Sequence, residues 1–255
     1  MKLRDYLTDD TSLISAYKRN SSMAFYPGRE GIFYKAFDVN ELICERIGVI
    51  KNLNINHYFL LSLDDFYGHI NYGMISNRKD NNIKLGSYDF CIDKDRIYIP
   101  CSTGIDLYDV LEWPTTDSNR EELTDEILQL FAFDIYTWQR DRNFYNIMFE
   151  IDSEREFHLS KIYDFGESLD ICCLYDGIFY YDNALYKFRS VDDYLKLMDE
   201  FPKFREFLKS YQDIDLCKEI EVMFDERNLD ISKFSLDRYK KFEEESQKML
   251  CKILK

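Results

Sequence analysis

Three oxygen-bearing side chains stand in an order that could support chemistry. Asp141 precedes Asn146 by five positions, and Asp164 follows within the segment "IYDFG". Carboxylate and amide oxygens are hard ligands of the kind that Mg²⁺ binds. A further carboxylate beside them could orient an attacking hydroxyl or take its proton. The order therefore indicates phosphoryl transfer, with Asp141 as the base and with Asn146 and Asp164 holding the metal.

Short apolar runs flank this block and predict how the metal ligands would meet. The run "IMF" follows Asn146 and "KIY" precedes Asp164, so we expect the two runs to pair as a hairpin. The alternative is turn chemistry alone, because Asp and Asn also favour turns and caps. The combination with a second Asp at the end of a second strand is much rarer than a lone pair, and it favours the metal-binding interpretation.

The N-terminal half offers groups that could bind nucleotide phosphates. Lys35 lies in the apolar strand pattern "GIFYKAF", and Glu41 opens the helix pattern that follows, with Glu45 one turn later. A strand Lys that contacts the α- and β-phosphates and pairs with a helix Glu is typical of kinases. Lys35 could instead be an edge-strand charge, and Glu41 could close a capping box with Asp38. With the later block present, we interpret Lys35 and Glu41 as nucleotide-binding residues and keep Glu45 as the alternative to Glu41.

A glycine-rich phosphate loop of the G-x-G-x-x-G type is absent from the sequence. The segment before the first predicted strand, "AYKRNSS", carries Lys18, Ser21 and Ser22, which could hold phosphates through charge, hydroxyls and backbone N–H groups. A solvated basic turn explains the same residues equally well. The phosphate-covering loop is therefore assigned to this segment only as an expectation.

The element pattern changes near residue 100. Residues 1–100 contain several segments with strand character and one early helix, "DVNELICERIGVIKNLNI". Residues 101–255 contain a long helix, "TDEILQLFAFDIYTWQRD", then two short strands, and helices almost throughout from residue 192 onward. We expect an α+β, two-lobed, protein-kinase-like fold, with a small β-rich N-lobe at 1–100 that covers the nucleotide and a larger helical C-lobe at 101–255 that carries the catalytic and metal-binding loops.

Composition limits the partners and the setting. The 255 residues carry a net charge of −15, which argues against nucleic acid and anionic lipid surfaces as partners and fits a basic protein or a neutral small molecule better. No apolar run is long enough for a membrane span, and "MKLRDYLTDDTSL" lacks the apolar core of a signal peptide. Seven cysteines without regular spacing predict buried thiols in a reducing, cytoplasmic protein. The three histidines are scattered, so a zinc site is not expected.

The central block resembles known kinase motifs. The stretch "DRNFYNIMFEIDSEREFHLSKIYDFG" is similar to the D-R-H-x-x-N … D-F-G pattern of phosphatidylinositol 3- and 4-kinases and to the N-x-D-R-H-x-x-N … Y-D pattern of HipA-like serine/threonine kinases. Four features favour the HipA-like family. They are Gln139 in the place of the family's Asn, the strand pattern "YGMISN", the early helix with Glu41 and the tyrosine of "IYDFG". The resemblance implies a kinase that uses ATP and Mg²⁺ and phosphorylates a Ser or Thr hydroxyl of a protein, including its own.

One departure from the family pattern affects activity. The family's His, two positions after the catalytic Asp, is Asn143 here, and an Asn brings no charge to the transferring phosphate. Arg140, Arg142 or Lys161 could compensate. Loss of one such electrostatic donor lowers a rate by roughly 10²–10³, so a nucleotide-binding pseudokinase that acts as a partner-binding module stays open. A small-molecule or lipid kinase on the same fold also stays open, as does an enzyme that transfers AMP.

Overall fold

The computed structural model describes residues 24–25, 32–64, 70–77, 83–84, 90–93, 96–98, 119–142, 146–151, 154, 156–170, 181–182, 187–188 and 190–255. Their strands are β1 (Ala24–Phe25), β2 (Ile32–Ala36), β3 (Phe59–Asp64), β4 (Ile70–Asn77), β5 (Ile83–Lys84), β6 (Phe90–Asp93), β7 (Arg96–Tyr98), β8 (Met148–Ile151), β9 (Phe157–Leu159), β10 (Tyr181–Asp182) and β11 (Lys187–Phe188). Their helices are α1 (Val39–Ile50), α2 (Arg120–Thr137), α3 (Val191–Glu200), α4 (Pro202–Ser210), α5 (Leu216–Glu226) and α6 (Asp237–Ile253).

An antiparallel sheet in the order β1-β2-β4-β3 occupies the first part of the chain. β2 lies inside this sheet, and its Lys35 pairs with Met74 of β4. Further along, β5 pairs with β8, with Ile83 opposite Phe149. Strand pairing therefore crosses residue 100, where the sequence predicts the boundary between two lobes, and that division stays a prediction.

Helix α1 begins and ends at residues with clear local causes. The Asp38 side chain accepts a hydrogen bond from the Asn40 N–H at 2.9 Å and caps the first turn. The helix ends at Ile50, earlier than the sequence pattern predicts, and Asn52 takes a positive φ of 56°. A Cβ on Gly48 would lie 2.4 Å from the Ile55 Cδ1, so any larger residue here would force the Ile55 side chain to shift.

Helix α2 passes through the core and stops short of the predicted end. Most of its second half is fully buried, including Phe131 and Phe133. The predicted helix continued to Asp141, but Trp138 has φ 55° and ψ 44°, a left-handed conformation that ends the helix at Thr137. The residues from Trp138 to Arg142 therefore form a loop, which is what places Asp141 outside the helix.

Two strand connections bring the central block together. β8 and β9 form an antiparallel hairpin with Phe149 opposite Leu159, so the run "IMF" pairs with residues 157–159, and the prediction that it pairs with "KIY" was wrong. The "KIY" run does not extend that hairpin, because Ile162 instead forms a parallel bridge with Ile55. The Asn56 N–H donates to the Ile162 carbonyl and the Ile162 N–H donates to the Asn54 carbonyl, both at 2.8 Å. The segment after α1 is thereby joined to the segment that carries Asp164.

The chain after residue 190 is helical, as predicted, and it supports α1. Arg46 of α1 makes ion pairs with Glu219 (2.8 Å) and Glu226 (3.1 Å) of α5. Asn40 accepts a hydrogen bond from the Tyr239 hydroxyl of α6 at 2.7 Å. Lys51, just beyond α1, donates to the Ser210 carbonyl. These contacts fix α1 against the C-terminal helices at both of its ends.

The described cysteines differ in their exposure to solvent. Cys44 is a buried free thiol, whereas Cys217 is partly exposed and Cys251 is exposed, so among these three the predicted burial holds for Cys44 alone. Burial raises the pKa of the Cys44 thiol well above its usual value, and the nearby Glu41 carboxylate adds to that shift.

Within the described helices, none is both long and apolar enough to cross a membrane.

Candidate active site

Gln139 links the backbone at the two predicted catalytic aspartates. Its side chain is fully buried. The Gln139 Oε1 accepts a hydrogen bond from the Asp141 N–H at 3.0 Å, and the Gln139 Nε2 donates to the Asp164 carbonyl. One amide group thus ties the loop after α2 to the segment after β9. Asp141 is exposed, so its side chain can reach a group that arrives from solvent.

Asn146 is held against the same loop. Its side-chain Nδ2 donates to the Asp141 carbonyl at 2.8 Å, and only 8% of the residue is exposed. This contact turns the amide so that the nitrogen is used by the protein. The Oδ1 atom is then the acceptor that the group can offer, and an amide oxygen is a suitable ligand for a hard cation.

Asp164 has an unusual backbone conformation. Its φ is 65°, in the left-handed region that Asp tolerates better than most residues. The residue is half-buried. Such backbone conformations cluster at functional sites, where the surrounding structure enforces them. Here the enforcement comes from the Gln139 contact on the Asp164 carbonyl and from the contacts of the next residue, Phe165.

Phe165 is anchored in the core by three neighbours. The residue is fully buried, and its ring packs edge-on to Phe133 at 5.3 Å between centroids and 76° between planes. The Phe165 N–H donates to Glu41 Oε1 at 2.7 Å. The Arg142 guanidinium lies 5.3 Å from the ring centroid. The backbone directly after Asp164 is therefore fixed from both α1 and the loop after α2.

Glu41 and Glu45, the two candidates for the helix glutamate, occupy different surroundings. Glu41 is fully buried, and besides the Phe165 N–H it accepts a hydrogen bond from the Tyr58 hydroxyl at 2.8 Å. Glu45 instead pairs with Arg227 at 2.7 Å and with His57 at 3.1 Å. Glu41 is thus the one that contacts the Asp164–Phe165 segment, while Glu45 joins α1 to the end of α5.

For several predicted site residues, the side chain or the whole residue lies outside the part of the chain that the structure describes. Lys35 is placed by its backbone in β2, and its side chain lies outside the described part of the molecule. Lys18, Ser21, Ser22 and Asn143 fall outside the described residues. Their assigned roles in nucleotide binding, and the consequence of Asn143, stay predictions.

Arg142 does not have the role that the sequence suggested. It was a candidate to approach the transferring phosphate in place of the missing His, but its side chain is fully buried. It makes a two-point ion pair with Asp134, Nε to Oδ2 and Nη2 to Oδ1, each at 2.9 Å. A guanidinium that is buried and paired with Asp134 cannot reach a phosphate bound in a cleft open to solvent.

Asp134 was not among the residues predicted from the sequence, and Gln139 was noted there only as a point of resemblance. A signal for Asp134 was present, because it is the charged residue inside the apolar run "FAFDIY" of a helix whose pattern indicates burial. A buried charge needs a partner, and Arg142, eight residues on, was available. Gln139 gave no such signal, since a Gln after a helix is ordinary.

A second group of titratable residues lies on α2 and β9. Glu122, Glu126 and His158 place their ligand atoms within 4.8 Å of one another. Glu126 Oε2 already accepts a hydrogen bond from the Leu159 N–H at 2.6 Å, and Oε1 lies 3.7 Å from His158 Nδ1. Burial raises the pKa of Glu126. The contacts of Glu126 tie helix α2 to strand β9.

Comparisons with known proteins identify the fold. No family model matches the sequence, and no curated protein matches it. Among solved structures, the chain is similar over 91% of its length to HipA of the Shewanella oneidensis MR-1 toxin–antitoxin system, in a complex with HipB and operator DNA, at TM-score 0.54 and 14% identity. It spans 62% of that HipA chain.

A second solved structure extends the similarity. The chain matches the Helicobacter pylori proinflammatory kinase CtkA at TM-score 0.56 and 16% identity, over 91% of this chain and 85% of that one. At these identities the similarity concerns the fold, and both neighbours share it. The chain therefore has the kinase-like fold that HipA and CtkA share.

Proposed function

We propose that the protein is an ATP-dependent kinase that transfers the γ-phosphate to a Ser or Thr hydroxyl of a protein. The observation that carries the proposal is the bridge through Gln139, which ties Asp141 to Asp164, together with the hydrogen bond from Asn146 to the Asp141 carbonyl. The kinase-like fold of the structural neighbours supports the same chemistry. The HipA-like division into a nucleotide-covering N-lobe at 1–100 and a C-lobe at 101–255 is part of the proposal.

The residues fit a bound Mg²⁺. Asn146 Oδ1 and the Asp164 carboxylate would hold it, because both are hard oxygen ligands and the Asn146 nitrogen is already occupied. Two protein ligands suffice, since waters and ATP oxygens complete the coordination shell. When bound, the ion neutralises charge on the phosphates. Lys35 would contact the α- and β-phosphates and pair with Glu41, and Lys18, Ser21 and Ser22 would cover the phosphates.

Asp141 would act on the acceptor. Its carboxylate orients the hydroxyl and accepts its proton as the hydroxyl oxygen bonds to the γ-phosphorus and the bond to the bridging β–γ oxygen breaks, which releases ADP. The net charge of −15 favours a basic protein as the acceptor over nucleic acid or a lipid surface. The irregular cysteine spacing, with free thiols at Cys44, Cys217 and Cys251, supports a cytoplasmic setting.

A nucleotide-binding pseudokinase is the second candidate, favoured by Asn143 in the place of the family's His. The two are separated by incubating the wild type, Asp141→Ala and Asp164→Ala with Mg²⁺ and with γ-labelled or α-labelled ATP. A kinase transfers label from the γ position only, and each substitution lowers the rate by about 10²–10⁴. The exposed Lys203→Ala variant serves as the matched control with wild-type activity.

Other outcomes would replace the proposal. Label that appears only from the α position would mean AMP transfer. Absence of label, with nucleotide still raising the unfolding temperature, would mean a pseudokinase. Transfer to a small molecule or lipid, with none to protein, would move the activity to a different acceptor on the same fold.

A further inference from the structure

A buried ion pair lies directly behind the candidate active site. Asp134 of α2 and Arg142 of the loop that follows are both fully inaccessible to solvent. Two parallel hydrogen bonds of 2.9 Å join the guanidinium to the carboxylate. This two-point geometry fixes the orientation of the guanidinium plane as well as its position.

The remaining nitrogen of Arg142 holds the backbone at both proposed metal ligands. Arg142 Nη1 donates to the carbonyl of Asn146 at 2.9 Å and to the carbonyl of Tyr163 at 2.9 Å. Tyr163 directly precedes Asp164 in the chain. Because one nitrogen bonds both carbonyls, the two segments cannot separate without breaking one of these bonds.

Fold stability alone is a poor explanation for a charge at this place. Replacing a buried ion pair by apolar residues of similar volume is often neutral or stabilising, since desolvation offsets the attraction. What an apolar pair cannot do is hold two carbonyls from separate segments at one point. An Arg does so because its planar group presents several donors in fixed directions, whereas a Lys presents one ammonium on a flexible stem.

We propose that Asp134 and Arg142 form a positioning pair that sets the spacing of Asn146 and Asp164, and thereby the affinity for Mg²⁺ in the nucleotide complex. This rests on the proposed function, in which those two residues hold the metal. Asp134 orients Arg142, Arg142 fixes the two backbones, and neither touches the nucleotide. Groups that act in this way behind metal ligands are known to govern metal affinity.

The test measures ATP binding as a function of Mg²⁺ in the full chain. The variants are R142K, which keeps the charge but loses the planar fork, and the double variant D134L/R142M, which replaces the pair by apolar groups. In both we expect the Mg²⁺ concentration for half-maximal enhancement of ATP binding to rise by about 10–100-fold. The affinity for ATP without metal should stay at the wild-type value.

A stability control separates positioning from a loss of fold. Leu250→Ala removes buried volume from α6, away from these residues, and should lower the unfolding temperature while leaving the Mg²⁺ requirement unchanged. Variants that match this control in stability and also keep the wild-type Mg²⁺ requirement would overturn the positioning role. Wild-type protein that binds ATP without any enhancement by Mg²⁺ would instead overturn the proposed function.

A measurement on the wild type covers the case in which both variants fail to fold. The Nη1–H resonances of Arg142 should shift when Mg²⁺ is added to ATP-saturated protein, because Nη1 donates to both carbonyls whose spacing the metal would fix. The same resonances unmoved, while Mg²⁺ demonstrably raises ATP affinity, would overturn the proposal.

Discussion

Removal of the Glu41 carboxylate should destabilise the protein strongly, because two groups lose their acceptor. The Phe165 N–H donates to Oε1 at 2.7 Å and the Tyr58 hydroxyl donates to Oε2 at 2.8 Å, with all three residues buried. An unpaired buried donor costs about 1–3 kcal/mol. For Glu41→Ala the two losses together predict a decrease of about 2–6 kcal/mol in the free energy of unfolding.

Two further variants measure how much each of the two hydrogen bonds to Glu41 contributes to the free energy of unfolding. Tyr58→Phe removes only the hydroxyl contact, so a loss of about 1.5–3 kcal/mol is expected for one hydrogen bond to a charged acceptor. Glu41→Gln keeps an oxygen for the Phe165 N–H and offers an N–H to the Tyr58 oxygen, and it should lie closest to the wild type. Against a total stability of about 5–15 kcal/mol for a typical domain, these differences are measurable.

The assay is urea unfolding followed by tryptophan fluorescence and far-UV circular dichroism, with the free energy extrapolated to water. We expect the order wild type, Glu41→Gln, Tyr58→Phe, Glu41→Ala from most to least stable. Glu41→Ala no less stable than Tyr58→Phe would mean that the bond to Phe165 contributes nothing. The inference that α1 fixes the segment after Asp164 would then be wrong.

Two further predictions concern nucleotide binding and pH. Lys35→Ala should weaken ATP affinity while changing the unfolding temperature little, and equal ATP binding by the variant and the wild type in a titration would contradict the role given to Lys35. Glu126→Gln should raise stability at neutral pH, because burial raises the pKa of Glu126 above its usual 4.5 and the ionised form then opposes folding. The protonated Glu126 contributes to the stability of the wild type, and this contribution is lost as pH rises through the raised pKa. The advantage of the glutamine variant should therefore vanish at acid pH. Urea unfolding curves measured from acid to neutral pH would reveal this.

Several local elements could be predicted from the sequence because their signals lie close together in the chain. A hairpin that begins at "IMF" follows from apolar runs flanking a polar turn, but its second strand is β9 at residues 157–159 and not the predicted run "KIY". The N-cap at Asp38 and the helices after residue 190 also follow from local patterns, and the structure has them. The resemblance to HipA-like kinases rested on the central block, and the solved structures of HipA and CtkA share the fold that it implies.

What the sequence could not predict depends on contacts between distant segments. The end of α2 at Thr137 carries no Gly or Pro signal, because the left-handed residue that ends it is Trp138, a residue type that seldom takes this conformation. The bridge of Ile162 to Ile55 joins residues that are far apart in the chain. The same holds for the bond from Arg142 to the Tyr163 carbonyl, and it explains why Arg142 looked like a surface charge able to reach a phosphate.

The central claim is that Asn146 and Asp164 bind the metal of a nucleotide complex beside Asp141. A crystal structure of the protein with Mn²⁺ and a non-hydrolysable ATP analogue tests it most directly, because the anomalous signal of manganese locates the ion independently of the protein. The account predicts an ion bound to Asn146 Oδ1, the Asp164 carboxylate and phosphate oxygens, with Asp141 facing the γ-phosphate. Manganese and nucleotide bound elsewhere, with these three side chains facing different regions, would contradict it.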